Sequence, residues 1–306
     1  CLDLRYADLA GTSLNGADLQ LADLRGANLR EAELQDATLV SAWASTASFN
    51  GADMRKVNAQ FIDLREAVLA HADLREADLT GAKVSGANFT GVDLRKAKLT
   101  IIVEAARVIF DHANIDSTIL TDIDMRNSSF VKTSLKYSGF EDVNLDGSRF
   151  VGAALAGMRF VDSSLRHSYM VGADLTGADM EAVQFTHADL SGARVREAKL
   201  TKSDLSFSNC TNTDFKFTTL VNADLRSATL RGASFRNTIL TDANFSGSDI
   251  QDADFNFAVG VHKVDFSGTR GMPLHLAVDL GIRKRPNPIV DVVVVAGSIR
   301  ASAIKP

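Results

Sequence analysis

His167 and His187 stand twenty residues apart, and two imidazoles brought together could hold a transition-metal ion if a third donor joined them. No third donor follows at a suitable spacing. Carboxylates are plentiful, but most obey one habit: an Asp or Asn directly before a large apolar residue, as in Asp23-Leu24 and Asp73-Leu74. An Asp so placed can accept backbone hydrogen bonds at a turn, and the Arg that follows, Arg25 or Arg75, offsets its charge. That arrangement suits structure, not proton transfer. No phosphate loop, GxSxG elbow, HExxH pair or Cys/His couple is present. The two cysteines, Cys1 and Cys210, make neither a disulfide framework nor a Cys-rich zinc site. The expectation is a protein that is not an enzyme and needs no cofactor and no metal.

The elements that hold these residues follow from one period. In "ADLREADLTGA", Ala72 to Ala82, Ala, Asp and Leu return after five residues. Five suits neither a strand, whose faces alternate every two residues, nor a helix, whose turn takes 3.6. With the large apolar residue as centre, centres run every five residues from Leu4 to Leu99, Ala44 and Ala59 being small exceptions. The residue two before the centre is usually Ala. The phase slips by one in "LTIIVEAARVIF", and centres resume from Phe110 to Phe255 before a second slip near Gly260 and a last centre at Phe266. If each quintet forms one side of a square, four close a coil of about 20 residues, with strand spacing of roughly 4.8 Å between coils. Every centre then points inward, and the small residue fits the narrow interior beside it.

This pattern resembles the pentapeptide-repeat family, with its A(D/N)LXX consensus, from Leu2 to Phe266. The resemblance implies an all-β fold: a right-handed quadrilateral β-helix, here of about 13 coils and roughly 60 Å long. The expected organisation is a first solenoid block over 1–100, a one-residue slip that makes a bulge or bend over 101–109, a second block over 110–266, and a non-repeat tail over 267–306. The tail reads "MPLHLAVDLGI" as a short helix, "IRKRPNP" as a basic turn and Ile289 to Ala296 as a strand. It either caps the exposed solenoid end or forms a homodimer contact. The chain starts inside the repeat, which reads as part of a longer protein; an acylated Cys1 of a lipoprotein is the other reading.

Stacked coils predict which residues are neighbours. Phe110, Phe130 and Phe150 should form one column, Phe140 and Phe160 a second, and Phe215, Phe235 and Phe255 a third. Cys210 occupies a centre and should be buried and inert. His167 and His187 should sit outward on adjacent coils. Three faces mix acids and bases evenly. The fourth, with centres Leu120, Phe140, Phe160 and Met180, carries Asp122, Glu141, Asp142, Asp162, Asp179 and Glu181 against Arg159, an acidic stripe about four coils tall. Trp43, Phe207, Phe217 and Phe257 should point outward, as contacts for a partner or for the tail.

The 306 residues carry 33 basic and 38 acidic side chains, which excludes nucleic-acid binding through bulk positive charge. No apolar run approaches the roughly 20 residues of a membrane span. Scarce cysteine and no visible signal peptide fit a reducing, cytoplasmic compartment, and the resemblance implies a bacterial one. The expected function is a scaffold that binds or positions protein partners. The alternative comes from the resemblance. One branch of the family shields DNA gyrase from quinolones or peptide toxins by imitating a DNA duplex and dimerises through its C-terminal end. An acidic stripe suits that role; the near balance of charge departs from it.

Overall fold

The computed structural model describes residues 2–100, 102, 104–273, 276, 277, 280, 294, 295, 298 and 299. The chain forms two compact units, Cys1–Ser164 and Leu165–Pro306.

In the first unit the residue before each centre pairs in parallel with the residue 20 positions on: Asp3 with Asp23, Asp8 with Asn28, Ser13 with Glu33, Asp18 with Thr38. Four such ladders, I to IV in that order, run through the unit. Each quintet uses its backbone groups in a fixed way. Leu4 N donates to Asp23 O one coil on (2.8 Å), Asp23 N donates back to Leu2 O (2.9 Å), and Ala7 N closes a turn onto Leu4 O (3.1 Å). The second residue after the centre has positive φ, 58° at Tyr6 and 63° at Gly11, as the turn demands. Glycine takes that position without cost; other residues lose about 1 kcal/mol or more, which the ladder bonds and burial offset.

The centres fill the bore. Leu24, Leu34, Leu74, Leu94 and Leu135 are fully buried, as are the alanines two residues before most of them. Phe110, Phe130 and Phe150 stack at 5.4 and 4.7 Å between centroids. Phe140 meets Phe160 edge-on at 5.7 Å. Towards the end of this unit Ser and Thr replace Ala beside the centre. Ser138 Oγ donates to Ile115 O of the coil before (2.9 Å) and accepts from Thr118 N (3.2 Å), so the hydroxyls stitch coil to coil.

Ladder IV changes character past residue 118. There β1 (Ile119–Thr121), β2 (Gly139–Glu141) and β3 (Arg159–Val161) form a parallel sheet. The one-residue slip is visible as register: Asp78 pairs 20 positions on with Lys98, but Lys83 pairs 21 on with Glu104.

The second unit repeats the scheme from Tyr169↔Asp189, Asp174↔Arg194, Asp179↔Lys199 and Gln184↔Asp204 onward. Phe215, Phe235 and Phe255 stack at 5.0 and 4.8 Å. The second slip is absorbed by a 3-10 turn, Val261–Lys263, entered through Gly260 at φ 81°; a Cβ there would lie 2.9 Å from Thr241 N. Ile239 still pairs 20 positions on with Val259, whereas Asn244 pairs 21 on with Asp265 and Asp249 21 on with Arg270. Phe266, the last centre, is buried against Phe245 and Phe255. A helical turn follows, with Ala277 N bonded to Pro273 O and Leu276 and Ala277 buried. Of the strand expected over 289–296, Val294–Val295 (β4) is described; it pairs antiparallel with Ser298–Ile299 (β5). The basic turn lies outside the described residues.

Candidate functional surface

The Asp before the centre is a turn residue. Asp73 Oδ1 accepts from Arg75 N (3.2 Å), and its carboxylate takes the Arg75 guanidinium at 2.6 Å. The same pairing joins Asp23 to Arg25, Asp53 to Arg55, Asp63 to Arg65 and Asp93 to Arg95. Each guanidinium holds its partner carboxyl below the usual carboxylate range. On ladder III the arginines also reach one coil on, Arg55 to Asp73 and Arg75 to Asp93, both at 3.8 Å. These faces neutralise themselves.

Ladder IV of the first unit does not. Asp122, Asp142 and Asp162 occupy successive coils at the exposed corner, at φ 53°, 54° and 47°. They make no ion pair among the described residues. Their coils lie roughly 4.8 Å apart, so adjacent carboxylates repel by about 1 kcal/mol in water. Glu141, beside them, is paired with Arg159. Asp179 and Glu181 belong to the second unit and meet lysines there, Asp179 with Lys199 (3.3 Å) and Glu181 with Lys202 (4.0 Å). The stripe read from the sequence therefore contains unpaired carboxylates at 122, 142 and 162 and paired ones elsewhere. The lysines escaped the sequence reading because each sits a full coil from the acid it meets.

The outward aromatics are exposed. Trp43 is half exposed under the Arg25 guanidinium, 5.6 Å from its ring centre. Phe257 is covered in the same way by Arg236 at 5.5 Å. Phe217 is exposed without a ring or cation contact among the described residues. Phe207 ends a stack of three: His167 on His187 at 5.0 Å and 3°, then His187 on Phe207 at 5.1 Å. Parallel imidazoles a coil apart cannot both aim a ring-plane lone pair at one ion. No group of three or more His, Cys, Asp or Glu able to hold a metal occurs among the described residues. Cys210 is buried, and desolvation pushes its thiol up to about 12.

Sequence reasoning also passed over Tyr6, Phe61 and Tyr137, exposed rings at the same corner position. Each leans over the residue 20 positions on, which is Gly26, Gly81 and Gly157 respectively. A ring followed by glycine one coil later was the available signal.

A model described as pentapeptide repeats (8 copies) matches residues 3–39, 32–69, 72–100 and 140–181, and one described as a pentapeptide repeat region matches 178–255. The chain belongs to the pentapeptide-repeat family. Its fold is accordingly a right-handed β-helix. The matches omit 101–139, where the first slip lies. No curated protein matches the chain. Among solved structures it is similar to HetL, a pentapeptide repeat protein involved in heterocyst differentiation regulation from the cyanobacterium Nostoc: 23% identity, 83% of this chain, 89% of that chain, TM-score 0.26. A pentapeptide repeat protein of the Arabidopsis thaliana thylakoid lumen is 31% identical over 31% of this chain and 66% of that chain, TM-score 0.31. QnrB1, a plasmid-mediated fluoroquinolone resistance protein, is 15% identical over 55% of this chain and 95% of that chain, TM-score 0.26. No helix among the described residues is long and apolar enough to cross a membrane.

Proposed function

We propose that this pentapeptide-repeat protein is a non-catalytic scaffold whose coils, four-sided in each unit and about 13 in number, present fixed outward rows to protein partners. The slip separates two solenoid blocks, 1–100 and 110–266, and the tail from 267 closes the C-terminal end of the second. The observation that carries this reading is the Asp122–Asp142–Asp162 row, without an ion pair among the described residues, while Glu141 beside it is paired with Arg159 and the Asp53, Asp73 and Asp93 row of ladder III is neutralised by arginines. Like charges held one coil apart are an electrostatic cost that a basic partner surface relieves. Trp43, Phe207, Phe217 and Phe257 offer apolar anchors elsewhere. The test is a quantitative pull-down with the whole chain. Asp122→Lys, Asp142→Lys and Asp162→Lys together should abolish partner recovery while leaving the unfolding midpoint unchanged, since the like-charge spacing is kept and only its sign is reversed. Unchanged recovery, or substrate turnover that depends on a single side chain, refutes the reading.

The same row supports a second reading, an imitation of nucleic-acid phosphates presented to a DNA-binding enzyme such as gyrase. A supercoiling assay with and without quinolone separates the two. Gyrase protection lost in the triple Lys variant supports it, and no effect at micromolar protein removes it.

A further inference from the structure

Three successive coils of the second unit carry charge on three sides and almost none on the fourth. Lys216 pairs with Asp214 and Arg236 with Asp254 on one side, Arg226 with Asp224 on a second, and Arg231 with Asp249 on a third. The fourth side is built on the ladder of Thr219, Ile239 and Val259. One corner of that side is Phe217, Asn237 and Phe257; the other is Asn222 and Asp242, followed by the turn that carries His262 and Lys263. Over 217–222, 237–242 and 257–261, Asp242 is the one charged residue. Phe217, Ile239, Phe257 and Val259 are 57%, 41%, 71% and 59% exposed. Depleted charge with exposed aromatic rings marks the core of an interface, where a solvated face keeps its charges.

We propose that this side is a lateral homodimer interface, covered by the same side of a second copy of the chain. Area and edge chemistry select that occupant. The four side chains leave on the order of 400 Å² of apolar surface open. Paired with itself, the side covers about twice that. Homodimer interfaces are roughly 65% apolar, so the whole contact comes to about 1,200 Å², the lower end for a specific complex. Ile239 lies in the middle coil, so a two-fold axis sets it against its own copy. An axis parallel to the coil stack brings each corner onto the opposite corner of the second copy. Phe257 then meets the second copy's His262 and Lys263, a cation at an aromatic ring. Asp242 meets the second copy's Asn237, whose amide can donate to the carboxylate. An axis across the stack would set Asp242 against itself, and like charges in contact oppose pairing. The interface holds whether or not the acidic row of the first unit takes a partner.

Sedimentation velocity of the whole chain tests it. At about 50 µM the wild type should sediment as a dimer. Val259→Lys sets two ammonium groups face to face in the apolar strip and should weaken dimerisation by about tenfold or more, with the circular dichroism of wild type. Cross-linking gives a second readout. Ile239→Cys in a Cys1→Ser background should oxidise to a disulfide-linked dimer about tenfold faster than Thr229→Cys in the same background, since Thr229 lies on the charged side with Arg231 and Asp249. A wild type that stays monomeric at about 500 µM overturns the interface. So does a dimer that Val259→Lys leaves intact. Equal cross-linking at 239 and 229 overturns it too, and that comparison stands even where Val259→Lys fails to fold.

Discussion

Replacing Gly157 by Ala should cost more than replacing Gly152, its neighbour five residues earlier, although both sit at positive φ, 67° and 64°. At both positions Ala loses about 1 kcal/mol to the left-handed backbone and regains some 0.4–1 kcal/mol by restricting the unfolded chain. At Gly152 little else changes, since the nearest atom to an added Cβ is Lys132 Cγ at 3.6 Å, an ordinary contact. At Gly157 the Cβ would lie 2.7 Å from Tyr137 Cδ1, so the ring must swing away. Tyr137 is 74% exposed; losing the cover on the remaining quarter of a ring of about 200 Å² costs roughly 1 kcal/mol. Gly157→Ala should therefore destabilise the first unit by about 1.5 kcal/mol and Gly152→Ala by about 0.5 kcal/mol. Urea unfolding followed at Trp43, the single tryptophan, reads that unit directly, with an unchanged slope as the control. In a Tyr137→Ser background the Gly157→Ala cost should fall to that of Gly152→Ala. Equal costs at the two glycines in the wild-type background, or an excess that survives Tyr137→Ser, refute the corner-over-glycine packing rule.

The hydroxyls in the bore should differ by partner. Ser248 Oγ is buried without a hydrogen bond, so Ser248→Ala should stabilise by about 1 kcal/mol; Ser138→Ala, which cuts two bonds, should destabilise by a similar amount in the same urea assay. Asp78 is lowered to about 2: burial pushes it up, but bonds from Thr80, Gln60 and Lys98 outweigh that. A carboxyl depressed on folding stabilises above its unfolded value near 4 and loses that stability as pH falls towards 2. Thermal melts of wild type should drop across that window, and Asp78→Asn should flatten the drop by roughly 1 kcal/mol, allowing for solvent screening. Cys210, desolvated and lifted to about 12, should resist a thiol reagent in a folded Cys1→Ser variant and react only with unfolding; labelling under native conditions at the rate of a free thiol contradicts the buried-centre assignment.

Much of the fold was legible in the residues because a period of five with one large apolar centre has one close-packed solution. Leu24, Leu74 and Leu135 point inward, the phenylalanine columns stack as spaced, and Asp73 caps its own turn. The surface was less legible. Asp179 and Glu181 look as bare as Asp142 on a list of outward positions, yet lysines a coil away reach them. Whether two side chains meet across coils depends on their lean and length, which spacing does not carry. Ladder IV likewise shows the same quintets as the others in sequence, but its turns give way to a three-stranded sheet past residue 118.

The sequence by itself determined which residues enter the bore, where the turns fall and where the register must slip, since each depends only on local period and side-chain size. Tertiary structure alone decided which acids find a cation and which rings lie over which glycines. Those outcomes depend on how coils stack and on how far each side chain reaches along the stack, which no single quintet encodes.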